Sequence, residues 1–220
     1  MKISILCSDI NHPVHSWLER WVSSQEGVNQ VELVSTLSKL SGGDILFLIS
    51  CHEIVNKDVR DCYKATLVVH ASDLPTGRGW SPHIWQILEG KTDVVVSLLE
   101  AADGVDQGRI WTKKEFCLEG HELYDEINAK LFDIELELMN FAVNNFCNVV
   151  PAKQDESKAS YYRKRSPEDS KIDLNQSIAE QFNLIRVADP NRFPSFFIYQ
   201  GYKYKLSIEK IGKIEKGDEL

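Results

Sequence analysis

The chain has 220 residues, 43% of them hydrophobic and 26% charged, a composition typical of a soluble globular protein with one domain or one domain and a small addition. Its net charge of −8 argues against a non-specific nucleic-acid-binding protein, because such proteins need a basic surface. The five cysteines are scattered without a CxxC pair, and no apolar run approaches the roughly 18 residues of a membrane span, so we expect reduced thiols, a cytoplasmic location and no membrane contact.

The first half of the chain alternates short apolar runs with amphipathic segments. The runs predicted as strands are residues 3–6, 31–34, 45–49, 67–69 and 94–99, and the segments predicted as helices are 14–22 and 80–88. Continuous apolar runs are typical of parallel strands that are buried on both faces. The alternation therefore predicts an α/β fold with a doubly wound, mostly parallel sheet.

The pattern changes after Gly120. Apolar residues at steps of three and four between Leu123 and Phe141 predict a long amphipathic helix that packs against the sheet. Beyond it we predict a polar linker (152–159), a helix (178–185), a terminal β-hairpin (193–199 and 202–208) and a frayed end (213–220). These predictions divide the chain into a main domain, 1–150, and a C-terminal extension, 151–220, whose hairpin could serve as a homodimer contact.

Polar side chains follow several of the predicted strands. Asp9, Cys51 and His70 each lie at or just beyond a strand end, and Asp106 lies in the loop after the next strand. Ligands of open α/β sheets bind beyond the carboxyl ends of the strands. Singly, His70 and Asp106 are most simply a loop histidine and a turn residue, but a carboxylate beside an imidazole can orient it for proton transfer near neutral pH. The six histidines show no metal-binding spacing such as HExxH, so we expect no metal site.

Several linked motifs resemble one known family. Residues 70–75 (HASDLP), Arg78-Gly79, Pro82, Trp85, Gly90 and residues 106–110 (DQGRI) look like the signature of the 10-formyltetrahydrofolate-dependent formyltransferases. Residues 162–170 and 185–190 are similar to two later segments of that family, so the resemblance covers about residues 44–206.

The resemblance implies a reaction and a set of roles. An amine would attack the formyl carbon of N10-formyltetrahydrofolate, His70 would carry the proton from the amine to the departing folate nitrogen, and Asp106 would hold and polarise His70. The pterin ring would lie against a loop of five residues, and a second segment would line the folate site. The loop comprises Ala102, Asp103, Gly104, Val105 and Asp106, and the segment comprises Ser72, Asp73, Leu74 and Pro75.

One position departs from the family pattern. The family's third catalytic residue is an asparagine two positions before the histidine, where this chain has Val68. Valine cannot donate a hydrogen bond, and loss of one oxyanion donor typically costs about 10²–10³ in rate. Cys51, with His52 beside it, is the candidate replacement at the end of the adjacent predicted strand, although a buried structural cysteine is the simpler interpretation.

The acceptor is inferred by comparison within the resembled family. Methionyl-tRNA formyltransferases carry a further tRNA-binding domain, and the chain is expected to end about where that domain would begin. Glycinamide ribonucleotide transformylases have a glycine-rich phosphate loop after the first strand, whereas residues 8–13 (SDINHP) contain no glycine. We therefore predict a nucleotide-linked amino-sugar, with its amine at C4, made for a surface polysaccharide.

Five residues are predicted to bind this acceptor by stacking on its base or pairing with its diphosphate: Arg78, Tyr161, Tyr162, Arg163 and Arg165. A solvated basic turn is an equally simple interpretation of the last four. Two other functions stay open at this point. The chain could be an idle relative that binds folate or a nucleotide without turnover, or a formyltransferase for a different amine.

Overall fold

A six-stranded sheet forms the centre of the computed structural model, which describes residues 1–214. The strands of the first half are β1 (Lys2–Leu6), β2 (Gln30–Val34), β3 (Gly43–Leu48), β4 (Tyr63–His70), the two-residue β5 (Arg78–Gly79), β6 (Asp93–Glu100) and β7 (Ile110–Cys117). Their order in the sheet is β2-β1-β3-β4-β6-β7. The predicted fraying of 213–220 falls largely on residues 215–220, which lie outside the described residues.

The α/β class and the mostly parallel sheet are confirmed, and the antiparallel strands lie at one side. Strands β1 to β4 run parallel, whereas β6 is antiparallel to β4 and β7 is antiparallel to β6. Residues 101–109, which connect β6 to β7, are fewer than the dozen or so residues that a parallel crossover needs. A hairpin-like return is therefore the arrangement that this connection permits.

The sequence pattern missed β7. Lys113, Lys114 and Glu115 are exposed in the middle of this strand, so it contains no continuous apolar run. β7 is an edge strand, with no further strand of the sheet on its outer side apart from the bridge between Ile110 and Ala152, and charged side chains are common in such strands.

The helices are α1 (His15–Ser24), α2 (Lys57–Arg60), α3 (Pro82–Leu88), α4 (Tyr124–Asn145) and α5 (Phe182–Arg186). The long helix predicted after Gly120 is confirmed as α4, and it buries Leu131 and Leu138 against the core of the sheet, where Ile5 and Phe47 lie. Among the residues that the structure describes, no helix is both long and apolar enough to cross a membrane.

The helix predicted over 178–185 is wrong for its first half, because α5 begins only at Phe182. The Glu180 carboxylate accepts hydrogen bonds from the backbone N–H and the hydroxyl of Ser177, and the Gln181 amide donates to the carbonyl of Asp173. Side-chain bonds to nearby backbone groups compete with helix formation in this way.

The segment expected to be a polar linker, 152–159, packs against the main sheet. Ala152 forms a β-bridge with Ile110, and the following β8 (Tyr161–Tyr162) pairs in parallel with β5. The terminal hairpin is confirmed as β9 (Ser195–Tyr199) and β10 (Tyr202–Leu206). Residues 152–162 are thereby held beside the loops that carry the predicted site.

Candidate active site

His70 is the last residue of β4, and its side chain is 8% exposed. Its Nε2 lies 2.9 Å from the carbonyl oxygen of Gly77. A carbonyl oxygen can only accept a hydrogen bond, so the neutral imidazole must carry its proton on Nε2 and its lone pair on Nδ1. Nδ1 in turn lies 3.6 Å from Oδ2 of Asp106. The structure therefore brings the two predicted groups together, with the basic nitrogen of the ring directed at the carboxylate.

The loop of residues 101–109 delivers Asp106 by folding back toward β4. Because β6 is antiparallel to β4, the loop begins beside the middle of β4, where the Ala101 N–H donates a hydrogen bond to the Thr66 carbonyl. Asp106 thus comes from the loop after β6, as predicted, but from a strand that is antiparallel to β4. The loop returns so that Oδ2 of Asp106 accepts a hydrogen bond of 2.9 Å from the Gly79 N–H.

Two features of the backbone make this return tight. Asp106 has φ +54°, in the left-handed region that a side chain other than glycine rarely adopts. At Gly108 a Cβ would lie 1.7 Å from the Glu100 carbonyl oxygen, so only glycine fits there. The distance of 3.6 Å between His70 Nδ1 and Asp106 Oδ2 is too long for a direct hydrogen bond. Both groups therefore keep the capacity to form a hydrogen bond with a reacting amine.

Val68 and Cys51 belong to one apolar cluster, which also includes Leu48. Burial raises the pKa of the Cys51 thiol, so this group stays protonated at neutral pH. Its S–H donates to the Glu53 carbonyl at 3.6 Å. Cys51 therefore offers a weak hydrogen-bond donor at the end of β3, whereas Val68 offers none.

The loop predicted to hold the pterin is tied to the loop after β3 by Arg60. The guanidinium of Arg60 donates to the carbonyl oxygens of Val55 (2.9 Å) and Ala102 (3.4 Å) and pairs with the Asp103 carboxylate. The remaining members before Asp106 are the half-buried Gly104 and the exposed Val105. Carbonyl acceptors from two loops thus converge where a flat heterocycle with amino and ring N–H groups could bind.

Residues 72–75, the second segment predicted to line the folate site, turn toward strands β6 and β7. The Ser72 carbonyl accepts from Ser97 on β6 (2.7 Å), and the Lys113 ammonium on β7 binds the carboxylate of Asp73 and the carbonyl of Leu74. Within the described residues, no hydrogen bond joins this segment to the loop after β6. The structure therefore gives these residues contacts with β6 and β7.

Arg78 lies in the protein interior, contrary to the expectation that it binds substrate. Its side chain has no exposed surface and makes two hydrogen bonds to the Glu156 carboxylate, at 2.8 and 2.6 Å. Further bonds reach the Gln154 amide oxygen (2.6 Å) and the Tyr161 hydroxyl (3.0 Å). Hydrogen bonding with Glu156 raises the pKa of Arg78, so its charge is permanent and its donors are occupied by protein groups.

The other residues predicted to bind the acceptor also contact protein groups. The Tyr162 hydroxyl donates to Glu89, and its ring stacks on Trp85 at 6.1 Å and 10°. Arg163 pairs with the Asp169 carboxylate, and Arg165 donates to the carbonyl of the same residue at 2.9 Å. Tyr161, which is 59% exposed, keeps an open ring face although its hydroxyl is engaged.

Two residues missed in the sequence form an exposed rim next to the site. Trp80 directly follows β5 and is 39% exposed. The Lys164 ammonium lies 4.6 Å above its ring centroid, and the His52 ring lies 5.5 Å away at a tilt of 42°. The position of Trp80 directly after Arg78-Gly79 could have marked it in the sequence, but its partners, Lys164 and His52, come from distant segments.

Two further histidines, His12 and His83, are less exposed than Trp80 and Lys164 of the rim. Burial lowers the pKa of both His12 and His83 to about 4, so both rings are neutral at pH 7. His12 Nε2 lies 3.3 Å from the Ser50 hydroxyl, and His83 Nδ1 is buried with no hydrogen-bond partner among the described residues. His12 follows β1 in the loop that contains Asp9, and His83 lies next to Pro82 of the family signature, so their positions in the sequence could have marked them.

The sequence that carries this site matches a known protein family. Residues 5–143, which include His70 and Asp106, match a family described as Formyl transferase. A methionyl-tRNA formyltransferase from Clostridium acetobutylicum is 28% identical over 165 residues, which cover 74% of this chain and 53% of that protein. The chain spans between about half and two thirds of the length of the curated relatives it matches.

Two solved structures share the fold at low identity. The methionyl-tRNA formyltransferase from Clostridium thermocellum aligns with a TM-score of 0.82 at 21% identity, covering 99% of this chain and 95% of that one. A 4-N formyltransferase from Francisella tularensis aligns with a TM-score of 0.75 at 18% identity, covering 96% and 98%. Since the family match extends over more than half of the sequence and contains both His70 and Asp106, this chain belongs to the formyl transferase family.

Proposed function

We propose that this protein transfers a formyl group from N10-formyltetrahydrofolate to the amine of a nucleotide-linked amino-sugar. The observation that carries the proposal is the basic Nδ1 of His70, which faces the Asp106 carboxylate at 3.6 Å in a buried site. A base held in a fixed tautomer beside a carboxylate is the arrangement that proton transfer between two nitrogens requires.

The donor site is supported by the carbonyls of Val55 and Ala102. A pterin presents an amino group and a ring N–H along one edge, and such an edge needs acceptors in one plane. Both carbonyls accept from the same nitrogen, Nη1 of Arg60, so two acceptors from different loops lie close together, and a pterin edge would take the place of that nitrogen. The acceptors thus suit the proposed folate, and the site needs no metal for this chemistry.

The proposed reaction uses these groups in turn. The acceptor amine attacks the formyl carbon, and the carbonyl oxygen becomes an oxyanion. His70 Nδ1 takes a proton from the attacking nitrogen, and Asp106 stabilises the imidazolium that forms. The same proton then passes to N10 of the folate as the C–N10 bond breaks, which yields a formamide and tetrahydrofolate. The Cys51 S–H is the group that we assign to the oxyanion.

The rim supports an acceptor that combines an aromatic ring with negative charge. The Trp80 side chain is 39% exposed, and the Lys164 ammonium lies above its ring, 4.6 Å from the centroid. Base–aromatic stacking and a nearby cation together suit the base and diphosphate of a nucleotide. A net charge of −8 and the Asp9 carboxylate in the glycine-free loop after β1 favour a small nucleotide over a long polyanion.

Methionyl-tRNA is the second candidate acceptor. It is favoured by the sequence relative from Clostridium acetobutylicum, which is named a methionyl-tRNA formyltransferase. The two candidates differ in the group that carries the amine, so a direct competition of substrates separates them.

The test is transfer from 10-formyltetrahydrofolate to a panel that contains dTDP-4-amino-4,6-dideoxyglucose, its UDP and GDP counterparts, and methionyl-tRNA. We expect formation of tetrahydrofolate and a formamide product, detected by mass spectrometry, with a nucleotide amino-sugar. His70→Ala should abolish transfer and retain folate binding, measured by quenching of tryptophan fluorescence, whereas the exposed His121→Ala control should behave as wild type.

Three outcomes would contradict the proposal. Transfer to methionyl-tRNA alone would show that the acceptor is this tRNA and not a nucleotide-linked amino-sugar. Folate binding without turnover of any amine would identify an idle relative. Full transfer by His70→Ala would remove the role given to the imidazole.

A further inference from the structure

Gln154 contacts the backbone of the loop that carries Asp106. Its Nε2 donates to two carbonyl oxygens, those of Asp106 and Gly108, each at 2.7 Å. One amide thus binds the loop on both sides of Gln107. Gln154 comes from the segment after α4 that the sequence pattern predicted to be a linker.

The amide oxygen of Gln154 is held by Arg78. Its Oε1 accepts from Arg78 Nη2 at 2.6 Å and from Nε at 3.3 Å. Arg78 is fully buried and fixed by the Glu156 carboxylate. Because a guanidinium only donates, it orients the amide so that the oxygen faces Arg78 and the NH₂ group faces the loop.

The loop needs such support at Asp106. A residue other than glycine at φ +54° persists only where its surroundings determine the conformation. The Gly79 N–H fixes the carboxylate of Asp106, and the Gln154 amide fixes its carbonyl. Gly79 and Arg78 are neighbours in β5, so both contacts come from one rigid unit.

We propose that Gln154 is a positioning residue for formyl transfer, which holds the Asp106 carboxylate at its distance from His70, and that Arg78 and Glu156 act through it. The inference rests on the proposed function only for the role of Asp106. It gives Arg78 a part in the reaction without contact to substrate.

Gln154→Glu tests this with little change of shape. A glutamate still accepts from Arg78 but has no N–H for the two carbonyls of the loop. We expect kcat with 10-formyltetrahydrofolate and dTDP-4-amino-4,6-dideoxyglucose to fall about 100-fold, the loss that misplacement of a catalytic group by about 1 Å can produce. The KM of either substrate should change less than threefold, and the exposed neighbour variant Lys153→Ala should match wild type.

A double-mutant cycle with Asp106→Asn separates positioning from a general loss of structure. If Gln154 acts through Asp106, the variant with both substitutions should be within about twofold of Asp106→Asn alone. If the two losses multiply, Gln154 has an independent structural role and the inference is wrong.

Hydrogen exchange of the loop tests the inference without turnover. The backbone amides of residues 104–108 should exchange at least tenfold faster in Gln154→Glu than in wild type, and unchanged exchange would overturn the inference. Gln154→Asn, which keeps the amide but shortens its reach, serves as the second variant if Gln154→Glu does not fold. Full activity of Asp106→Asn would instead contradict the proposed function, so the two failures are distinguishable.

Discussion

A tetrahedral intermediate of formyl transfer carries a negatively charged oxygen, and the side chain of Val68 has no hydrogen-bond donor for it. The Cys51 thiol lies in the same cluster and is kept protonated because burial raises its pKa. Its present partner, the Glu53 carbonyl at 3.6 Å, is a weak one that a developing oxyanion could replace. The residue that compensates for Val68 is therefore expected to be Cys51.

Cys51→Ala should lower kcat by about 10²-fold, the typical cost of one oxyanion donor, without weakening folate binding. Cys51→Ser should keep most of the activity, because a hydroxyl is a stronger donor of similar size. The exposed Cys62→Ala is the control, and steady-state formyl transfer is the measurement. Wild-type turnover by Cys51→Ala would show that the oxyanion is stabilised elsewhere.

Single residues differ in how far the sequence reveals their roles. That His70 and Asp106 lie close together could be predicted, because a polar residue after an apolar run marks a sheet edge and the motifs around both resemble a family signature. Arg78 could not, since an arginine between glycines is equally suited to substrate or to the interior. Its partner Glu156 lies 78 positions away in the chain, and only the fold shows that the two meet.

At the scale of elements, the short β5–β8 ladder builds the rim. The Trp80 N–H donates to the Tyr162 carbonyl at 3.1 Å, which aligns Trp80 with the strand that leads to Lys164. At Gly79 a Cβ would lie 2.4 Å from the Tyr162 carbonyl oxygen, so glycine is required for the two strands to approach this closely. The ladder thus couples the rim to the Gly79 N–H that holds Asp106.

Trp80→Ala should raise the KM of the nucleotide amino-sugar about tenfold, because stacking of a base on an aromatic ring contributes about 1–3 kcal/mol. The KM for the folate co-substrate should stay within twofold of the wild-type value. Calorimetric titration with the free nucleoside diphosphate measures the same loss without catalysis, and Trp80→Phe, which retains an aromatic face, should recover most of the affinity. Equal weakening of both substrates would assign Trp80 to the folate site instead.

Elements were predictable where local pattern and burial agree. Central strands such as β3 are continuously apolar where both faces are covered, from Ile45 to Leu48, and α4 shows a regular helical period because one face packs on the sheet. The pattern failed at β7, an edge strand with charged residues, and at residues 178–181, where side chains bind the local backbone. In both places contacts outside the pattern decide the structure.

At the scale of the whole molecule, buried titratable groups make stability depend on pH from both sides. His12 and His83 have lowered pKa values of about 4, so their contribution is present above pH 6.5 and is lost as pH falls toward 4. Glu135 of α4 is 7% exposed, and burial raises its pKa to about 8. Its contribution is present below pH 4.5 and is lost as pH rises through 8, because the buried native carboxyl must then ionise.

Glu135→Gln should remove the alkaline part of this dependence. A neutral amide needs no ionisation, so its free energy of unfolding relative to wild type should increase by about 3 kcal/mol between pH 6 and pH 9. Guanidinium chloride unfolding at the two pH values measures this difference, and the histidine contributions cancel because both proteins contain them. The exposed Glu19→Gln should follow wild type at both values. If Glu135→Gln and wild type change in parallel, the Glu135 carboxyl reaches water or a partner in the folded protein, and the buried protonated state assigned to it is wrong.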